Sequence, residues 1–131
     1  MKNYIKILSI LFTFAFCIIN AQVSDTLIYV KTFETNKVNY IGHPLSKLLN
    51  DMTMLQPKSI WSFRYYSGLN FCEKDKSNDT GEVNMIIYWQ TPIPFSQSDY
   101  YEDLNHFYFT NNERNFYGSK IVKDIYVFVM D

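Results

Sequence analysis

The chain has 131 residues, a formal charge of −1 with histidine neutral, and 18% aromatic residues. That length suits one domain with a short leader. The near-balanced charge, with no basic run, excludes nucleic acid and anionic membrane surfaces as expected partners.

Lys2 and Lys6 precede an uncharged apolar run, Ile7–Ile19, and Ala21 offers a small residue before Gln22. A basic start, an apolar run and a small-residue exit form the pattern of a secretory signal peptide. The run is shorter than the ~20 residues that span a bilayer, so no retained membrane span is expected. Cys17 is not read as a lipid-bearing cysteine, because Phe16 fills the position where such sites carry a small residue. The opening MKNYIKILSILFTFAFCIINAQ resembles the leaders of small exported proteins of Gram-negative bacteria. That resemblance implies cleavage near Ala21 and a periplasmic or extracellular protein. The expected organisation is a signal peptide over residues 1–21 and a single small α+β domain over 22–131. Losing two lysines and no acid takes the charge from −1 to −3. Only Cys72 remains, so the fold must hold by packing without an internal disulfide. Cys72 is either a buried small apolar residue or a loop thiol.

Thr26–Phe33 is β-branched and aromatic and predicts a strand to about Thr32, with residues 31–40 fitting strand or helix. In Pro44–Leu55 the residues Leu45, Leu48, Leu49, Met52 and Leu55 form one apolar stripe, the spacing of a helix. Pro44 suits its first position, and Pro57 opposes its continuation. His43, just before it, is read as a neutral or exposed boundary residue rather than a catalytic one. Ser59–Tyr66 predicts a strand with Trp61, Phe63 and Tyr65 on the core face. Val83–Gln90 predicts its antiparallel neighbour, with Val83, Met85, Ile87 and Trp89 facing the core. The polar run Glu73–Glu82 predicts an exposed tip between them. Ser98–Phe107 has helical spacing, with Asp99 and Glu102 as a start signal. Asn111–Ser119 reads as loop. Ile121–Met130 is apolar on both faces and predicts a central or doubly covered strand.

The expected fold is therefore α+β: a two-layer sandwich, with a mainly antiparallel sheet of three to four strands and two helices on one face. The helix-then-hairpin segment resembles modules of the β-lactamase-inhibitor-protein kind, from which a second helix between strands departs.

Few residues carry a chemical signature. A calcium loop starting at Asp75 fails at Thr80, where glycine is needed, and at Ile86, where a bidentate glutamate is needed. Asn78-Asp79-Thr80 fits the glycosylation triplet, a short pattern. His43, Cys72 and His106 stand on separate segments without metal-ligand spacing, so no metal and no cofactor is assigned. Neighbouring Glu102 and Asp103 would point about 100° apart on a helix, so they do not form a carboxylate pair. No catalytic residue is assigned, and the balance leans away from an enzyme. The tyrosine-rich stretch Asp99–Phe109 supplies the candidate binding residues Tyr100, Tyr101, His106 and Tyr108, since aromatic side chains are enriched at interfaces. The same residues also suit a helix sealed onto a sheet. The expected function is an exported, non-enzymatic domain that binds a protein or an envelope component through its sheet edge or an aromatic surface. The alternatives are a small hydrolase-like enzyme using Cys72 or Glu102/Asp103 with His106, or a carbohydrate-binding module using exposed aromatics. Both Trp61 and Trp89 are expected in the core, which would weaken the last reading.

Overall fold

The computed structural model describes residues 25–131, so the expected leader lies outside the described residues. Two helices come first, α1 over residues 25–35 and α2 over Leu45–Asp51. Three strands follow: β1 Ser59–Ser62, β2 Tyr66–Asn70 and β3 Val83–Trp89. Helices α3 Phe95–Asn105 and α4 Asn111–Gly118 then lead to β4 Val122–Val129. The strands form one open antiparallel sheet in the order β1-β2-β3-β4. Four-strand antiparallel pairing in a mixed α+β chain agrees with the sequence, and the described residues hold four α-helices where two were expected.

One core cluster joins α1, α2 and α4 to the sheet. Val30 and Phe33 of α1, Leu45, Leu48 and Leu49 of α2, and Tyr117 of α4 pack in one cluster with Ile60, Leu69, Met85, Ile87, Ile125 and Val127. Val83, Met85, Ile87 and Trp89 are all buried, as the β3 alternation predicts.

Several segments differ from expectation. Residues 25–35 are helix, not strand. Leu27, Val30 and Phe33 recur at helical spacing toward the core while Ile28 is exposed, and burial of that stripe outweighs the β propensity of the segment. A short 3₁₀ turn, Lys37–Asn39, follows. Helix α2 stops at Asp51, short of Leu55. The Gln56 side chain turns back and donates to the carbonyls of Leu49 and Met52, satisfying the last-turn acceptors a helix leaves open. Pro44 lies one position outside the helix, in extended conformation and bridged to Ile121. Gly42, at φ +80°, makes the turn into that bridge, which L side chains rarely adopt.

Ser59–Tyr66 is not one strand but a hairpin that turns at Phe63–Tyr65, closed by the Phe63 N–H donating to the Tyr66 carbonyl at 2.8 Å. β1 pairs with β2, and β2 rather than β1 pairs with β3. The turn also reverses the expected faces. Ile60 is buried opposite Leu69, while Trp61 is half-buried and Phe63 and Tyr65 are exposed. Helix α3 begins at Phe95 rather than Ser98 and ends at Asn105. His106 and Phe107 follow in left-handed conformations, φ 52° and 68°.

Asn111–Ser119, expected as loop, contains α4. Its start is a capping box. The Thr110 hydroxyl accepts from the Asn112 N–H at 3.1 Å, and Glu113 accepts from the Thr110 N–H at 2.8 Å. Glu113 is buried and also accepts from Asn105 Nδ2 at 2.6 Å, tying the end of α3 to the start of α4.

β4 is an edge strand, not a central one, but its edge is covered. Gly42 N–H donates to the Val122 carbonyl and Leu45 N–H to that of Lys120, while the His43 carbonyl accepts from Val122 N–H. Farther along, Glu34 Oε1 accepts from the Val127 N–H at 3.1 Å and Lys31 Nζ donates to the Val127 carbonyl at 3.1 Å. The opposite edge, β1, is covered in the same way. Ile60 N–H donates to the Phe107 carbonyl, Phe109 N–H to that of Lys58, and Glu102 Oε1 accepts from the Ser62 N–H at 2.9 Å.

Replacing Thr110 by alanine removes both the cap acceptor and a partner of the buried Glu113. The expected loss is about 1–2 kcal/mol, which thermal melting reads as roughly 4–8 °C per kcal/mol for a domain near this size. An unchanged melting temperature would show that the box does not hold α4.

Candidate functional site

The face of the sheet turned away from the helical core is lined with rings. Trp61, Tyr66, Tyr88, Tyr126 and Phe128 lie on it by strand register, with Phe63 at the turn. The rings touch within two groups, Trp61–Phe63–Tyr66–Tyr88 and Tyr126–Phe128. The centroids are 5.7 Å apart for Trp61–Phe63, 5.2 Å for Phe63–Tyr66 and 5.7 Å for Tyr66–Tyr88, and Tyr126 stacks on Phe128 at 6.1 Å. Phe63, Tyr88 and Tyr126 are exposed by 49%, 39% and 52%, so the row presents apolar surface to solvent rather than filling a core. Ile86, near its middle, is buried.

Gly68 fixes the geometry of one end of this face. It stands opposite Trp61 in the β1–β2 pair, and the indole lies where any side chain at position 68 would begin. Glycine there allows the ring to rest directly on the strand, a close approach that a Cβ would block. Trp61 is therefore held flat and half-buried. Trp89 is in the core, its Nε1–H donating to Ser67 Oγ at 2.9 Å. Of the two tryptophans expected inside, one is.

Next to Trp61 is a cleft of about 360 Å³, lined by Ser59, Trp61, Asn70, Lys74, Asn78 and Phe107 among others. Asn70 is buried, and its Nδ2 donates to Ser59 Oγ at 3.1 Å. Its Oδ1 accepts no hydrogen bond. Lys74 forms no ion pair among the described residues, and its ammonium rests 5.5 Å from the Phe107 ring centre and 5.2 Å from that of Tyr108.

The four binding residues expected from sequence are only partly brought together. Tyr100 and Tyr101 touch on α3, ring centroids 5.1 Å apart. Tyr100 is exposed, while Tyr101 is half-buried and stacks on Phe116 at 4.5 Å. Tyr108 lies beyond the helix, half-exposed, bridged to Ser59 at the β1 edge and close to Lys74. His106 is exposed at the end of α3. Leu104 is also exposed, and Ser98 alone of α3 is buried, so that helix is not sealed to the sheet by its aromatic stripe.

Two of the groups weighed for catalysis, Cys72 and Glu102, have their ionised forms disfavoured by burial. Cys72 is half-buried, and burial, with the Glu82 side chain adding to it, pushes its thiol up to about 11. The nucleophilic species is the thiolate, so this group is a weak nucleophile at neutral pH. Glu102 is held above the usual carboxylate range by burial. The Ser62 N–H opposes that shift, and Asp99 and Asp103 reinforce it. Its oxygen is spent on the edge of β1, and Asp103 points to solvent. Tyr117, on the core side of α4, is buried and pushed up to about 12, chiefly by burial. It faces Ser62 without a hydrogen bond of ordinary geometry. Among the described residues no group of three His, Cys, Asp or Glu side chains converges as metal ligands do. No helix among them is long and apolar enough to cross a membrane.

Comparison with protein families, with curated proteins and with solved structures finds no match for the chain.

The aromatic face was missed because Trp61 and Phe63 were assigned to the core face of a strand that is really a hairpin. The signal available was Gly68 opposite Trp61, which only the correct register reveals.

Because the Cys72 proton is held, alkylation by iodoacetamide near pH 7 is expected to be slower than for a free thiol. The rate should climb as pH approaches 11 and should rise at fixed pH on denaturation. Rapid labelling of the folded protein at pH 7 would contradict the assignment and reopen a nucleophilic role.

Proposed function

We propose that this protein is an exported binding module, not an enzyme, and that it engages a protein or envelope component through the aromatic face of its sheet. The observation that carries this reading is the row of touching, partly exposed rings from Trp61 through Phe63 and Tyr66 to Tyr88, with the stacked pair Tyr126–Phe128 on the same face. Contiguous exposed apolar surface marks sites of interaction, whereas single exposed apolar residues need no explanation. Aromatic rings give a large contact area at low entropy cost, and the tyrosine hydroxyls give polar specificity. A two-layer arrangement, with α1, α2 and α4 packed against the opposite face, leaves this one open. The raised Cys72 thiol and the engagement of Glu102 in the β1 edge both weigh against the hydrolase reading.

A carbohydrate partner is the second reading, and one specific observation favours it. Trp61 lies flat and half-exposed rather than in the core, at the end of the row and beside a cleft.

The face is tested by a double substitution, Tyr88→Ser with Tyr126→Ser, at two exposed positions. Immobilised wild-type protein is expected to retain envelope components that the double variant loses, with both proteins equally folded by circular dichroism. A matched variant on α3, Tyr100→Ser with Leu104→Ser, should retain them. Loss in the α3 variant alone would move the site to that helix and overturn the sheet-face reading.

Export is tested separately by the intact mass of the protein recovered from outside the cytoplasm. The expected mass is that of a chain beginning at Gln22. A full-length chain held inside the cell would refute the leader.

A further inference from the structure

We propose that the cleft beside Trp61 is a saccharide subsite that takes a pyranose ring bearing a carboxylate, the chemistry of a uronic acid. This goes beyond the sheet-face reading. It concerns a separate concavity where β1, β2 and the 3₁₀ turn Lys74–Lys76 meet the segment after α3.

Three features of the cleft define its ligand. The first is an unmet acceptor. Asn70 is only 3% exposed and its Nδ2 is spent on Ser59, yet its Oδ1 accepts nothing. Buried polar groups in folded proteins nearly always find partners, so this oxygen, closed to solvent in the structure, gains an outside donor only when the Asn70 amide turns toward the cleft. Ser59 Oγ already accepts from Asn70, so its own proton is free to be donated. Asn78 adds an exposed amide that both donates and accepts.

The second feature is the pair of aromatic walls, Trp61 and Phe107. Gly68 holds the indole flat on the sheet before any ligand arrives, which lowers the ordering cost of binding. A pyranose has an apolar C–H face that suits such a ring and a rim of hydroxyls that both donate and accept. The cleft, at about 360 Å³, is at the small end of small-molecule sites, roughly 300–1,000 Å³.

The third feature is charge. Lys74 contributes an ammonium that no described carboxylate neutralises, and the lining holds no acidic side chain. A cationic ligand would find no counter-charge there. A single ammonium balances the one charge of a carboxylate, whereas a phosphate monoester, at about −1.5 to −2 near pH 7, would stay partly uncompensated.

The test is titration of glucuronate and of glucose, each as monosaccharide and as disaccharide, into isotope-labelled protein followed by NMR. Glucuronate is expected to shift the Trp61 indole and Asn70 side-chain amide signals while leaving those of Tyr100 unmoved. It should bind about tenfold or more tightly than glucose, the scale of one charge-assisted hydrogen bond. Lys74→Met should abolish that preference while the variant stays folded by circular dichroism, its melting temperature lowered only by the loss of the contacts with the Phe107 and Tyr108 rings. Phe107→Ala should weaken both sugars. A disaccharide binding more tightly than its monosaccharide identifies a glycan as the source; equal affinities identify the free sugar. Failure of either acidic sugar to move Trp61 and Asn70 at millimolar concentration would overturn the proposal. So would an unchanged glucuronate preference in Lys74→Met, or an ordered water on Asn70 Oδ1 that persists with sugar present. The Tyr88→Ser/Tyr126→Ser variant should still bind sugar, so the cleft and the sheet face fail independently.

Discussion

An open four-stranded sheet has two edges, and each carries backbone N–H and C=O groups that pair with any strand offered to them. In this protein both edges are answered from within the chain, and by matching chemistry. On β4 the carboxylate of Glu34 accepts from the Val127 N–H, and on β1 the carboxylate of Glu102 accepts from the Ser62 N–H. Backbone pairs continue the cover, Gly42–Leu45 along the start of β4 and Phe107–Phe109 along β1. The rest of the architecture follows from this closure. Helix α1 must lie beside β4 for Glu34 and Lys31 to reach Val127. Helix α3 must end near β1 for Glu102 and Phe107 to reach Ser62 and Ile60. The left-handed pair His106–Phe107 turns the chain onto that edge.

The two faces of the sheet divide the labour. One alternation set, including Ile60, Leu69, Met85, Ile87 and Val127, enters the core with the helices. The other carries Trp61, Tyr66, Tyr88, Tyr126 and Phe128 in partly exposed contact. Because side chains alternate strictly along a strand, burial of one set obliges the other to face away. The aromatic richness of the chain thus has two uses. Trp89 and Tyr117 stack inside at 6.0 Å, and the sheet-face rings stay outside.

What the sequence revealed depended on whether a local signal agreed with the tertiary packing. The α2 stripe and the β3 alternation were legible because their apolar periodicity is the pattern their burial uses. Residues 25–35 were not, since β-branched and aromatic side chains carry the same apolar stripe whether the backbone is helix or strand, and packing decided between them. The β1–β2 turn was illegible for another reason. Phe63-Arg64-Tyr65 contains no glycine, proline, asparagine or aspartate to mark a reversal. Missing that turn exchanged the faces of β1 and hid the aromatic surface. The α4 start, by contrast, was legible and overlooked, since Thr110-Asn111-Asn112-Glu113 is a capping box in plain sequence. β4 was misplaced because an apolar strand reads alike whether a second sheet neighbour or a helix covers it. Of the binding residues read from Asp99–Phe109, Tyr108 alone comes to lie near the cleft, through a bridge to Ser59 that no spacing rule discloses.

The closed edges narrow what kind of partner the proposed module can receive. A partner that added a strand would have to displace Glu34 and Lys31 from Val127, or Glu102 and the Phe107–Phe109 segment from β1. Either exchange breaks charge-assisted or backbone hydrogen bonds to make others like them, so it gains little. Of the two routes that the sequence left open, a sheet edge or an aromatic surface, the edge is thus the costlier. Binding across the face breaks no internal hydrogen bond. It covers rings that are already ordered by one another and, at Trp61, by Gly68, so the chain gives up little freedom on contact. The face also ends at a cleft lined by Ser59, Asn70, Lys74 and Asn78, so polar residues stand at the border of an otherwise apolar platform. An apolar area with polar groups at its margin is the arrangement that separates a recognition surface from mere exposed core.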